Sequence, residues 1–227
     1  MEILQDNEKD ALIIHCIFAV LCVIVLIAPL HPKIGIRMLA LVIIYNLIMP
    51  LWGLIRRDSS LINLWLFALI LSLLQVFPDW FLSKELNVLV FPEDGCFKIG
   101  TVSGYMAGLW AIPIFVIVFI GERVYVRHSN RAAYTVVALV SLIIFTGSEQ
   151  TLWMLPSWYA ENVRMIVHIA VYIIVPEIIL GLSAYFAYQH VTRLSHWYKF
   201  PAAFSVMQLY LGSAAFFYFL VEKIIIK

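Results

Sequence analysis

The sequence predicts an all-α polytopic membrane protein, about seven transmembrane helices in one bundle. Three observations carry this expectation. Hydrophobic residues make up 63% of the 227 residues and charged residues only 13%, against about 45–50% and about 25% in soluble domains. The apolar residues fall into seven runs, at about 11–30, 34–55, 60–78, 102–121, 132–152, 163–188 and 201–222. Each run is near the roughly 20 residues that a helix needs to cross a bilayer core. The charges collect between the runs, as they must where lipid leaves helices as the economical way to satisfy the backbone.

The first run, 11–30, follows the polar, acidic stretch MEILQDNEKD. It is longer than a signal-peptide core and lacks a small-residue cleavage site, so a retained first span is expected. The second, 34–55, puts Asn46, Pro50 and Gly53 on one helical face. The third, 60–78, ends on Gln75 and Asp79. An interfacial loop, about 79–101, follows; it is too charged to span but has the apolar pieces FL and LNVLVF. The fourth run, 102–121, opens on Gly104-Tyr-Met-Ala-Gly108, a close-packing signal, continues through Trp110 and Pro113, and stops at Glu122. The fifth, 132–152, ends on Glu149 and Gln150. The next loop carries Trp153, Trp158 and Tyr159, either as an interfacial aromatic belt or as a lid over a cavity. The sixth run, 163–188, is expected to set His168 and Tyr172 on one face and to kink at Pro176, just before Glu177. The seventh, 201–222, contains Gln208. One transmembrane domain, 1–227, follows.

Seven spans put the termini on opposite sides. On the side of the N-terminus lie Arg56, Arg57, Arg123, Arg127, Arg131, Arg193 and Lys199. On the other side lie Lys33, Arg37, Lys84, Lys98 and Arg164. The excess of basic residues places the N-terminus in the cytoplasm.

Composition also excludes. A net charge of +1 gives no electrostatic case for nucleic acid. Cys16, Cys22 and Cys96 form no metal-type pair, and there is no His-x-x-x-His. Paired Asp-rich diphosphate motifs, phosphate loops and Gly-x-Ser-x-Gly are missing too. No metal and no cofactor is expected. The expected partners are the bilayer and a lipophilic small molecule.

Ionisable and amide groups at membrane depth default to functional candidates. Rise per residue sorts them into two layers. One holds Gln75, Asp79, Glu149 and His168, with Tyr172 sharing the His168 face. The other, near mid-membrane, holds Asn46, Glu177 and Gln208. Taken singly, each acid also reads as a wet helix end or as a hydrogen-bond partner between helices. Convergence favours chemistry, because a low-dielectric cavity raises a carboxyl pKa and so supplies a proton donor near pH 7. Glu177 is the strongest single candidate.

With Trp110-Ala-Ile-Pro113 and Ile174-Val-Pro-Glu177 in a small seven-span chain, the sequence resembles the integral-membrane terpene cyclases, including the archaeal and fungal lycopene β-cyclases. That resemblance implies acid-initiated cyclisation or isomerisation of an isoprenoid. It would make Glu177 or Asp79 the proton donor and Glu149 or His168 the terminal base. Trp80, Tyr105, Trp110, Trp153 and Tyr172 would wall the cation, and Asn46, Gln75 and Gln208 would add polar contacts to substrate. Two other classes stay open from the residues alone: a small proton-coupled transporter, and a receptor-like or accessory subunit whose acids are structural.

Overall fold

The computed structural model describes residues 6–29 and 31–225. The fold is helical: α1 (Asp6–Ile27), α2 (Ile34–Arg56), α3 (Ser59–Trp80), α4 (Met106–Leu109), α5 (Ala111–Arg127), α6 (Asn130–Leu152), α7 (Ile174–Val191) and α8 (Lys199–Tyr218). Among the described residues, six two-residue strands decorate one end: β1 (Leu89–Val90), β2 (Lys98–Ile99), β3 (Val102–Ser103), β4 (Tyr159–Ala160), β5 (Met165–Ile166) and β6 (Ile169–Ala170). Among the described residues, seven helical segments are long and apolar enough to cross a membrane.

Local chemistry sets several boundaries. The Asp58 carboxylate caps α3 by accepting from the Ser60 and Leu61 amides, and the Ser129 hydroxyl caps α6 by accepting from Ala132. α2 stops where Arg57 turns left-handed, φ 55°. α3 buries Leu61, Leu64, Ala68 and Leu71 at helical spacing, and the same side continues through Gln75 to Asp79.

Five helices close a ring. α5 packs on α6, α6 on α7, α7 on α8, α8 on α3, and α3 back on α5, while α2 leans on α3 and carries α1 outside it. One half of the ring is shut by glycines. A Cβ on Gly121 would meet Val137 of α6 at 2.6 Å and Tyr185 of α7 at 2.8 Å. A Cβ on Gly181 would fall on the Ser141 hydroxyl, with the Ser141 Cβ 2.9 Å away. Gly181→Ala is therefore expected to lower stability by about 1–3 kcal/mol through overpacking. A lowered unfolding midpoint of the detergent-solubilised protein would show it; an unchanged one would contradict it.

α1 is tied by charge. Arg56 grips Asp10 with two contacts of 2.9 Å, and Arg127 pairs with Glu8. The Arg56 side chain is 54% exposed, so Arg56→Ala is expected to cost at most about 1 kcal/mol, read in the same unfolding assay.

The segment boundaries differ from the sequence expectation in instructive ways. The first segment is Glu8–Ile27 rather than 11–30, Leu30 lying outside the described residues. The third runs on to Glu85, because α3 continues into a π-helical turn, Phe81–Glu85. Asp79 and Trp80 are thus helical, not loop. The fourth starts at Met106, since Gly100 (φ 63°) turns the chain and Val102–Ser103 form a strand. The sixth starts at Val171. Residues expected to open it form the β5–β6 hairpin, whose turn carries Val167 at φ 58°, a conformation that β-branched residues rarely take. Pro176 then falls in the first turn of α7, where a missing N–H deprives no intrahelical bond, and the expected mid-helix kink has no cause.

Candidate active site

Above the glycine-closed half, the ring opens into a cavity of about 280 Å³. Its floor and walls come from every helix of the ring. The sequence of directions explains its acids: α3 and α6 end, and α7 begins, at the same end of the bundle. Asp79 from the last turn of α3, Glu149 from the last turn of α6 and Glu177 from the first turn of α7 all line this one cavity. The two layers expected for these groups collapse into one, because the hairpin before α7 removes the residues that were to carry Glu177 deeper.

Asp79 is 2% exposed and Glu177 5%. The Asp79 Oδ2 accepts from the Trp110 indole at 2.9 Å. The Glu177 Oε2 is buried without a hydrogen-bond partner. Glu149 is partly exposed, and the Trp158 indole stands within its reach as a donor. Aromatic rings supply the walls. Trp110 lies 5.6 Å from Phe145 and 5.9 Å from Tyr210, centroid to centroid, and Tyr172 sits edge-on to Tyr218 at 5.6 Å.

Both long loops cover the cavity. β1 from the first pairs with β4 from the second, Leu89 opposite Ala160 and Val90 opposite Tyr159. The Glu161 amide donates to Val88, and Asn162 Nδ2 to Asn87. Val88, Leu89, Trp158 and Ala160 line the cavity from this lid. Of the second loop's three aromatics, Trp158 lines the cavity under both loops, while Trp153 and Tyr159 are exposed outside it.

Other residues singled out from the sequence do not line the cavity. His168 sits at the hairpin turn rather than on a helix, so it shares no helical face with Tyr172; it stacks on Trp153 at 3.8 Å, outside the lid. Trp80 packs against Gly100 and Phe77. Tyr105 is fully buried and its hydroxyl donates to the Ser157 carbonyl, which fastens the two loops together; burial pushes its pKa up. Asn46 donates to Val42 and Gly108 and accepts from Trp65, a brace between α2, α3 and α4. Gln208 is exposed on the outer side of α8. Gln75 lies one turn before Asp79, fully buried, with no partner for either amide atom.

Tyr210 and Phe145 are site residues with no role in the sequence expectation, whereas Trp158 belongs to the loop expected to be belt or lid. Tyr210 had a signal: it belongs to the stripe Ala203, Val206, Met207, Tyr210 and Ala214, whose spacing marks the buried side of α8.

A family model described as a domain of unknown function (DUF6989) matches residues 76–221. No curated protein and no solved structure matches the chain. Asp79, Glu149, Glu177 and Tyr210 all fall within the matched stretch, whereas α1 and α2 fall outside it.

Proposed function

Because the chain belongs to the DUF6989 family, and the matched stretch holds the whole acid-lined cavity, we propose that it is an integral membrane enzyme that cyclises or isomerises an isoprenoid by protonating it. The observation that carries this reading is the convergence of three carboxyl groups in one apolar, aromatic-walled cavity.

Glu177 is the donor. Its unpartnered oxygen leaves it free to meet substrate, whereas Asp79 is engaged by Trp110. The carboxyl O–H breaks as its proton bonds to an alkene carbon, or to an epoxide oxygen whose ring C–O bond then breaks to leave a hydroxyl. The carbocation so formed is attacked by a second alkene, closing a carbon–carbon bond. Trp110, Tyr172 and Tyr210 present ring faces and edges to the travelling charge, each worth roughly 0.5–2 kcal/mol. Loss of a proton from carbon to the Glu149 carboxylate ends the sequence. Substrate and product are isomers, so the step needs no oxidant or reductant.

Size and access fit this class. A cavity of roughly 150 Å³ holds a benzene, so about 280 Å³ takes the reacting head of an isoprenoid. Ile112, Pro113 and Val116 of α5, and Ile144 and Ser148 of α6, line the cavity and are also partly exposed. A lipid-facing seam between these helices would admit the substrate and let a longer tail trail into the bilayer. The basic-residue count puts the N-terminus in the cytoplasm.

A proton-coupled carrier is the second reading, favoured by the unpartnered buried atoms of Ser72 and Gln75, which lead inward from Asp79 along α3. Expression in an isoprenoid-producing host with profiling of lipid extracts separates the two. New cyclised products support the enzyme. Unaltered lipids, together with proton movement in proteoliposomes, support the carrier.

A further inference from the structure

A second cavity, about 320 Å³, lies outside the lid between Trp153, Tyr159, Met165 and His168. Its walls are open: Trp153 and Tyr159 are each 45% exposed and Met165 46%. It shares Glu149, Trp158 and Ala160 with the inner cavity. Glu149 is thus the one acid that lines both spaces. It is partly exposed, where Asp79 and Glu177 are sealed. At roughly 30 Å³ per water, the outer space is a vestibule for several waters.

We propose that Glu149 is the proton-exchange residue between this aqueous vestibule and the buried acids. An O–H bond of a vestibule hydronium breaks as one forms on a Glu149 carboxylate oxygen. The Glu149 O–H then breaks as one forms on the Glu177 or Asp79 carboxylate, directly or through one water. The reverse steps carry a product proton out. The exchange stands on the geometry of the two cavities; its use in turnover rests on the proposed function. A donor that gives up a proton in each cycle must be reloaded, and the apolar seam between α5 and α6 offers no water for it. Glu149 acts on the inner acids as a relay, and Trp158, which lines both cavities beside it, is the gatepost.

Infrared spectroscopy in lipid nanodiscs tests the exchange without any substrate. The carboxylic-acid C=O band that disappears in Glu177→Gln or Asp79→Asn reports an inner acid, and it shifts when deuterium enters from D₂O. In Glu149→Gln that shift is expected to slow by about a hundredfold, the low end of what a positioned acid–base group contributes. A second arm uses a folded protein before and after treatment: Met165→Cys, with Cys16, Cys22 and Cys96 changed to Ser, plugged by a charged thiol reagent. Plugging is expected to slow the same band. Exchange unchanged by both manipulations overturns the relay, as does the lack of any protonated band from the inner acids. Slowed exchange in a protein that turns over no isoprenoid would keep the relay and remove the cyclase reading; unchanged exchange with product formed would do the opposite.

Discussion

Glu177→Gln is expected to lower product formation by about 10²–10⁴-fold while leaving a folded protein. The glutamine keeps the shape of the side chain and removes the acid. Glu177 is 5% exposed, lines the cavity, and its Oε2 has no hydrogen-bond partner, so that oxygen is open to a group entering the cavity. The same burial makes the substitution mild for the fold, because an amide is cheaper than a carboxylate to hold out of water. Glu122→Gln is the matched control: that acid sits on α5 beyond the glycine-closed half, beside Arg123, and does not line the cavity. Product profiles from the two variants, normalised to folded protein, check the expectation. Equal losses in both would contradict it.

Trp110→Ala is expected to produce the second largest effect, on two readouts at once. Removing the indole takes away ring contacts to Phe145 and Tyr210 and leaves the Asp79 carboxyl without this donor. Truncating a well-packed tryptophan costs about 3–5 kcal/mol; Trp110 lines the cavity and is partly exposed, which argues for the lower end. The product spectrum is expected to broaden as well, since a cation lacking one wall is quenched or deprotonated early. Trp110→Phe separates the causes. It keeps an aromatic face and drops the N–H, so the cost is expected to fall to about 1–3 kcal/mol, that of an orphaned polar group, with the product spectrum retained. In a Trp110→Phe, Asp79→Asn cycle the two changes are expected to be non-additive, because they remove one shared hydrogen bond.

What the sequence showed and what it hid divide along physical lines. The seven long apolar helices among the described residues were legible because each run is long and apolar and the charges lie between runs. The level of Asp79 and Glu149 was legible because both close a helix. The level of Glu177 was not. Residues 165–176, MIVHIAVYIIVP, are apolar and β-branched, and such a run reads equally as buried helix or as strand pair. Helix rotation was hidden too. α7 and α8 are apolar nearly all round, so a polar residue such as Gln208 draws attention although it faces outward, while Tyr210, turned inward, looks like packing. The pairing of β1 with β4 joins segments about 70 residues apart through two-residue strands, too short to leave a period in the sequence. The resemblance makes Tyr105 and Trp80 aromatic walls; contacts with Ser157 and Gly100 account for them instead.

The central claim is proton donation from a buried carboxyl to an isoprenoid, and isotope incorporation tests it most directly. Purified protein in nanodiscs is supplied with linear and epoxidised isoprenoids, in H₂O and in D₂O, and the lipids are analysed by mass spectrometry. The expected result is a product isomeric with its substrate in H₂O that, when an alkene is the protonated group, carries one non-exchangeable deuterium on carbon in D₂O, and that is lost in Glu177→Gln. A product of altered oxidation state, or no product from any isoprenoid while the protein remains folded, would contradict the claim.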